Sequence, residues 1–219
     1  MSVLAFLHTA APNVAVFTDL AARLDPTVPT RHELIEDVLA GAVGTGEVTG
    51  AMRSQTEATV LRLVAEGAPV VMCTCSTIGG VAEATRVPSG ARVMRIDRPM
   101  AEAAIASGRR IVVAATLPST LGPTRALLQQ VADSKGRTIE MVDVLCELAW
   151  PHFARGDRDA YANEIARTVR AVASDTDIVV LAQASMAPAA ERLEAIGIEA
   201  LASPELGVRA ALAAYREAR

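Results

Sequence analysis

The stretch Val70-Val71-Met72-Cys73-Thr74-Cys75-Ser76-Thr77-Ile78-Gly79-Gly80 runs from unbroken apolar residues into small and hydroxylated ones. Val81-Ala82-Glu83-Ala84 follows in a helical pattern. An apolar run without polar alternation reads as a parallel strand covered on both faces. Similar runs rich in Val, Ile and Ala lie at 3–8, 91–96, 110–115, 138–144, 177–182 and 198–202, beside this one at 70–74. Helical patterns fall between them at 49–66, 98–107, 123–134, 159–173, 187–196 and 204–217, with 31–43 a further helix. Strand–helix alternation predicts an α/β fold with parallel sheet, whose ligands sit at the carboxyl ends of the strands.

The chain also looks internally duplicated. An offset of 107 residues lays Leu4-Ala5-Phe6-Leu7-His8-Thr9 on Ile111-Val112-Val113-Ala114-Ala115-Thr116. An offset of 108 lays Val71 to Thr77 on Val179 to Ser185, and one of 105 aligns Pro99 with Pro204. Three nearly equal offsets predict two lobes of similar size with a boundary near 97–99, their equivalent strand ends facing a shared cleft. The competing reading is that buried parallel strands all resemble one another.

Composition narrows the chemistry. The 219 residues are 51% hydrophobic and 21% charged with a formal charge of −4, which is globular composition. Arg109 and Arg110 make the largest basic cluster, so no nucleic-acid partner is expected. No apolar run approaches the roughly 18 residues of a membrane span. The N-terminus lacks a charged leader region and reads as a first strand. Three cysteines are too few for a disulfide framework, which points to a reducing cytoplasm. The single lysine, Lys135, lies in a polar stretch, against a Schiff-base cofactor. His8, His32 and His152 show no ligand spacing, so no metal and no other cofactor is expected.

The residues that could carry chemistry lie at predicted strand ends. A thiol beside a helix N-terminus is favoured as thiolate by the helix dipole and free N–H groups, and thiolate is the form that acts as base or nucleophile. Cys75 has that setting; a small buried cysteine at a tight turn is the plainer reading. Ser76 and Thr77 either cap the helix or bind a carboxylate, and the same N–H groups suit an anion. Cys73 and Cys146 read as core. Gln183 stands opposite Cys75 in the duplication, and with Ser185 offers neutral hydrogen-bonding groups; a helix-start turn explains both equally. Thr116, Ser119 and Thr120 form a hydroxyl-rich turn before a helix opened by Pro123, suited to a carboxylate or simply to capping. Thr9 and Asn13 are their counterparts in the first half. His8, at a predicted strand end, reads as a satisfied structural histidine, with a catalytic histidine as the alternative. Gly41, Gly44, Gly46 and Gly50 fit no nucleotide fingerprint and read as a mobile linker or lid.

Three segments, Arg31-His32-Glu33-Leu34-Ile35-Glu36-Asp37, Cys75-Ser76-Thr77-Ile78-Gly79 and Leu181-Ala182-Gln183-Ala184-Ser185-Met186-Ala187, together resemble the aspartate/glutamate/hydantoin racemase superfamily over nearly the whole chain. The resemblance implies two pseudo-symmetric α/β lobes, each with a four-stranded parallel sheet flanked by helices, around a cleft. The lobes fall at 1–97 with about 203–219, carrying Cys75, and at 98–202, carrying Gln183. It implies chemistry without a cofactor at the carbon beside a carboxylate of a small-molecule substrate, in an enzyme that forms homo-oligomers. In the racemases two cysteines flank that carbon; Cys75 matches the first and Gln183 occupies the place of the second. Two-base racemisation needs an acid on each face, and a carboxamide cannot serve. Other superfamily members use one cysteine to protonate a carbanion after loss of carbon dioxide, or to attack the double bond of a cis-diacid. In either, Ser76, Thr77, Thr116, Thr120 and Ser185 stabilise the developing charge. A carboxylate-binding protein without catalysis is the reading from another class. A two-lobed solute receptor is a third, and the lack of a leader argues against it.

Overall fold

The computed structural model describes residues 2–88, 90–174 and 177–218. Met1, Ser89, Asp175, Thr176 and Arg219, which fall inside the expected lobes, lie outside the described residues. Contacts divide the chain into two compact units, Met1–Arg98 with Pro204–Arg219, and Pro99–Ser203.

The first unit contains β1 (Leu4–His8), α1 (Ala11–Leu24), β2 (Thr30–Leu34), α2 (Glu36–Thr45), α3 (Gly50–Ala65), β3 (Val70–Cys73), α4 (Ser76–Ala84) and β4 (Arg92–Arg95). Its sheet is parallel, in the order β2-β1-β3-β4. The second runs through α5 (Arg98–Ser107), β5 (Arg110–Ala115), α6 (Pro118–Ser134), β6 (Glu140–Leu145), α7 (Trp150–Ala154), α8 (Arg158–Arg170), β7 (Ile178–Leu181), α9 (Pro188–Glu194) and β8 (Ala200–Ala202). Its sheet is also parallel, in the order β6-β5-β7-β8. The fold is α/β with two four-stranded parallel sheets flanked by helices.

The central strands are apolar because both faces are covered. Every residue of β1, β3 and β7 is buried, as is all of β5 after Arg110. On β1, Ala5 and Leu7 pack with Val71, Cys73, Ile78 and Leu63 on one face. Phe6 and His8 meet Phe17 of α1 on the other. Each such aliphatic or aromatic side chain contributes about 1.5–3 kcal/mol on burial. Register repeats between the units. Leu4 pairs with Val70 and Ile111 with Ile178, and beyond the strands the Thr74 N–H donates to the Leu7 carbonyl as the Ala182 N–H does to Ala114.

α10 (Ser203–Glu217) returns to the first unit. Gly207 permits this, since a Cβ there would stand 2.5 Å from the Ile96 carbonyl oxygen. The Tyr215 hydroxyl then donates to the Ser2 carbonyl at 2.7 Å.

Several expectations are corrected. The helix expected at 31–43 begins only at Glu36, and Thr30–Leu34 is a strand. β2 is an edge strand, half-exposed, whose Arg31 and Glu33 pair with Glu66 and Arg62 of the α3 end. Charged residues guard such an edge and erase the apolar signal of a buried strand. The linker or lid at 41–50 is instead helical at both ends: Gly41 and Gly44 lie inside α2, and Gly50 opens α3 after its N-cap Thr49. α6 starts at Pro118, not Pro123, so Ser119 and Thr120 belong to its first turn. Proline's fixed φ suits the first helical position, while Pro123 merely withholds one N–H within the helix. The sequence reading assigned no helix to 11–24 or 150–154, where α1 and α7 form. Among the described residues no helix is long and apolar enough to cross a membrane.

Candidate active site

In the first unit the decisive turn joins β3 to α4. Cys75 is the N-cap of α4, with extended backbone (φ −110°, ψ 116°) and a side chain that does not cap the helix. Its sulfur therefore stands at a helix N-terminus without being spent on the helix. Cys75 is partly exposed, whereas Cys73 and Cys146 are buried. Burial pushes the Cys73 thiol up, and its sulfur donates to the Cys75 carbonyl at 3.6 Å. Burial pushes the Cys146 thiol up to about 11. Both remain neutral core thiols, and Cys75 differs from them in its exposure. Ser76 and Thr77 fill the buried first turn of α4. Thr9, also buried, follows β1, and Asn13 lies half-buried in the first turn of α1.

Beneath α4 lies a charged pair that the sequence reading missed. Arg95, at the end of β4, is 5% exposed and Asp97 0%. Nε and Nη2 of Arg95 donate to the two Asp97 oxygens at 2.6 and 2.8 Å, a two-pronged bond. Nη2 also lies 3.5 Å from the Ser76 carbonyl. Burial opposes the guanidinium charge, but the bonds and charge of Asp97 hold Arg95 above its ordinary value. Gly79 lets the helix rest on this pair, for a Cβ there would meet Arg95 Nε at 3.1 Å. The available signal was Arg-Ile-Asp at a strand end, two charges on one side of an extended chain, opposite Gly79-Gly80.

In the second unit Gln183 precedes a short 3-10 turn, Ala184–Met186. Its Oε1 accepts from the Thr116 N–H at 2.6 Å and from the Thr116 hydroxyl at 2.9 Å. A backbone N–H can only donate, so the carboxamide oxygen is fixed toward Thr116. Gln183 thus ties the end of β7 to the end of β5. Tyr161 of α8, another residue missed from sequence, lies with its hydroxyl 2.9 Å from Ser185 Oγ and 3.4 Å from Thr116 Oγ1. Burial raises its pKa above the usual phenol value, so it stays a neutral hydroxyl. The Ser119 hydroxyl is buried with no hydrogen-bond partner, and Thr120 is buried beside it in the helix's first turn. Thr116, Gln183 and Ser185 are therefore one network, and Ser119 and Thr120 belong to the adjacent helix start. Among the described residues no cluster of three His, Cys, Asp or Glu could hold a metal.

No curated protein sequence matches this one. The fold is that of several solved racemases. Aspartate racemase from Picrophilus torridus superposes with a TM-score of 0.75 at 10% identity, over 99% of this chain and 95% of that one. Glutamate racemase from Thermus thermophilus, in complex with β-chloro-D-alanine, gives 0.68 at 16% identity, over 99% and 81%. A glycine-to-cysteine mutant of arylmalonate decarboxylase, in its sulfate-associated form, gives 0.54 at 18% identity, over 98% and 93%. The family model described as Asp/Glu/hydantoin racemase matches residues 11–211. This protein belongs to the Asp/Glu/hydantoin racemase family.

Proposed function

We propose that the protein is a single-thiol enzyme acting at the carbon beside a carboxylate of a small acid, with Cys75 as the group that transfers the proton or adds to the substrate. One observation carries this reading. The Gln183 oxygen is committed to Thr116, and by the resemblance this residue stands where the racemases carry their second cysteine. Exchange of a proton between two faces needs an acid on each, and a carboxamide has no proton to give at a useful acidity. Chemistry from one face remains open. The thiol of Cys75 delivers a proton to the carbanion left when carbon dioxide departs, or its thiolate adds to the double bond of a cis-diacid and leaves after rotation. Negative charge on the substrate's carboxylate or enediolate is met by N–H groups and hydroxyls of Ser76 and Thr77, at the start of α4. Thr9 after β1 and Asn13 in the first turn of α1 supply other hydrogen-bonding groups of the same unit for the acid. Family membership and the decarboxylase among the structural neighbours support an enzyme over a pure binding protein.

Proton NMR in deuterated water tests it, with amino-diacids, hydantoins, cis-diacids and substituted malonates, and Cys75→Ser as control. The expected result is carbon dioxide loss or cis–trans conversion that disappears in Cys75→Ser. Deuterium uptake at an unchanged acid with inversion would mean true racemisation through another group. Ligand binding with no turnover of any class would leave a binding protein.

A further inference from the structure

A chain of hydrogen-bonded side chains in the first unit, buried at its inner end, is not used by that chemistry. His8, the last residue of β1, is completely buried. Its Nδ1 lies 2.8 Å from the Thr74 hydroxyl and its Nε2 2.9 Å from Nδ1 of His32 on β2. The two rings are nearly coplanar, 6° apart. Nε2 of His32 lies 3.1 Å from Thr18 Oγ1 on α1. Four side chains, from β1, β2, α1 and the β3–α4 turn, thus link the exposed face of α1 to the residue before Cys75.

The proton directions follow from the inner end. The Thr74 hydroxyl has one proton and donates it to the Leu7 carbonyl at 3.1 Å. It therefore accepts from His8, so Nδ1 of His8 carries hydrogen. Burial, with His32 alongside, lowers His8 to about 3, so the ring is neutral and its Nε2 is bare. That nitrogen accepts from Nδ1–H of His32, which burial also holds below its ordinary value. Thr18, at the exposed end, has one proton for two acceptors, His32 and the Val14 carbonyl at 2.7 Å.

The second unit supplies the contrast. The offsets that align the strands place Ala115 at the position of His8 and Ala182 at that of Thr74. There the strand end is tied by Gln183 itself, at the position of Cys75. A residue serving as the tie is not available for chemistry. In the first unit the tie is made one residue ahead of the thiol.

We propose that His8 is a positioning residue for the Cys75 turn: as the Nδ1–H tautomer, with Nε2 facing His32, it holds Thr74 and through Thr74 the backbone that carries Cys75. This rests on the reading of Cys75 as the reactive thiol. A buried histidine that merely fills space would tolerate an apolar replacement of similar size without any change at the sulfur.

Two measurements on the full chain decide it. Long-range proton–nitrogen NMR of the labelled protein near neutral pH is expected to show His8 as the Nδ1–H tautomer; an Nε2–H ring or an imidazolium overturns the proposal. The rate of Cys75 alkylation by iodoacetamide, resolved by peptide mass spectrometry, is then compared across His8→Asn, His8→Gln and His8→Leu. The Asn amide places an N–H where ring Nδ1 stood, and the longer Gln amide reaches the place of Nε2. His8→Asn is expected within about twofold of the native rate, with His8→Gln and His8→Leu shifted by about fivefold or more. Equal rates in all three, or rescue by Gln and not by Asn, overturn it. Should His8→Leu fail to fold, the Asn and Gln pair still decides. Alkylation reads the turn without a substrate, so a failure here is separate from a failure of Cys75→Ser to lose turnover.

Discussion

The two units share strand order and register, yet their strand ends are held by opposite means. The first rests on buried charge and imidazole: Arg95 with Asp97 under α4, and His8 with Thr74 at the ends of the two central strands. The second rests on neutral bonds among Gln183, Thr116, Tyr161 and Ser185. Placing a reactive sulfur at a strand end requires its backbone to be fixed by other groups. Where no such group stands, the residue in that place becomes the fixing group. Matching strand order therefore does not bring matching groups to the strand ends.

Four changes would break or sharpen this contrast, beginning with the largest. Asp97→Ala leaves the Arg95 guanidinium buried and unpaired, and is expected to cost about 3–5 kcal/mol in urea unfolding. Replacing both partners by apolar residues should recover much of that loss, because the penalty belongs to the lone charge. A variant as stable as the native protein would show that the first unit does not depend on its ion pair.

Acid should separate the units next. The folded value of His8 is about 3 against 6.5 in a model peptide. Between those values the unfolded chain takes up a proton that the folded chain refuses, so stability falls as pH falls through that window. The slope from this residue is at most about 1.4 kcal/mol per pH unit. His8→Asn should flatten the curve from pH 6.5 downward, measured by denaturant melts at successive pH values. The Ala115 position in the second unit has no such contribution.

Gln183→Leu removes the acceptor from the Thr116 N–H and is expected to cost about 1–3 kcal/mol. Gln183→Glu keeps an acceptor there and should cost less; equal losses would mean that volume, not the bond, matters. Tyr161→Phe is the mildest, about 0.5–1.5 kcal/mol by thermal unfolding, since it removes one hydroxyl from Ser185 and Thr116.

Much of the fold was legible because burial writes itself as unbroken apolar runs. β1, β3, β5 and β7 were readable within a residue or two of their ends. β2 was not, because Thr30–Leu34 is a half-exposed edge whose charges mimic a helix surface. Pro118 and Pro123 both suit a helix start, and only packing shows that the helix runs through the second. The reactive-looking residues were visible as local composition at strand ends: Cys75, Ser76, Thr77, Thr116 and Gln183. Their supports were not. His8 and Thr74 are 66 residues apart, and Thr116 and Gln183 are 67 apart, so only the sheet register brings each pair together. Tyr161 sits on a helix whose sequence gives no sign of which strand end it reaches.

The close seat of Gly207 on Ile96 bears on how the molecule is made. Residues 99–203 form a continuous stretch of chain, whereas the unit holding Cys75 includes α10, which follows that whole stretch. Domains generally fold as they emerge, the earlier ones first. Here the earlier-synthesised sheet waits for a helix that follows the whole of the other unit, so the thiol-bearing unit closes only after the chain of the other has been made.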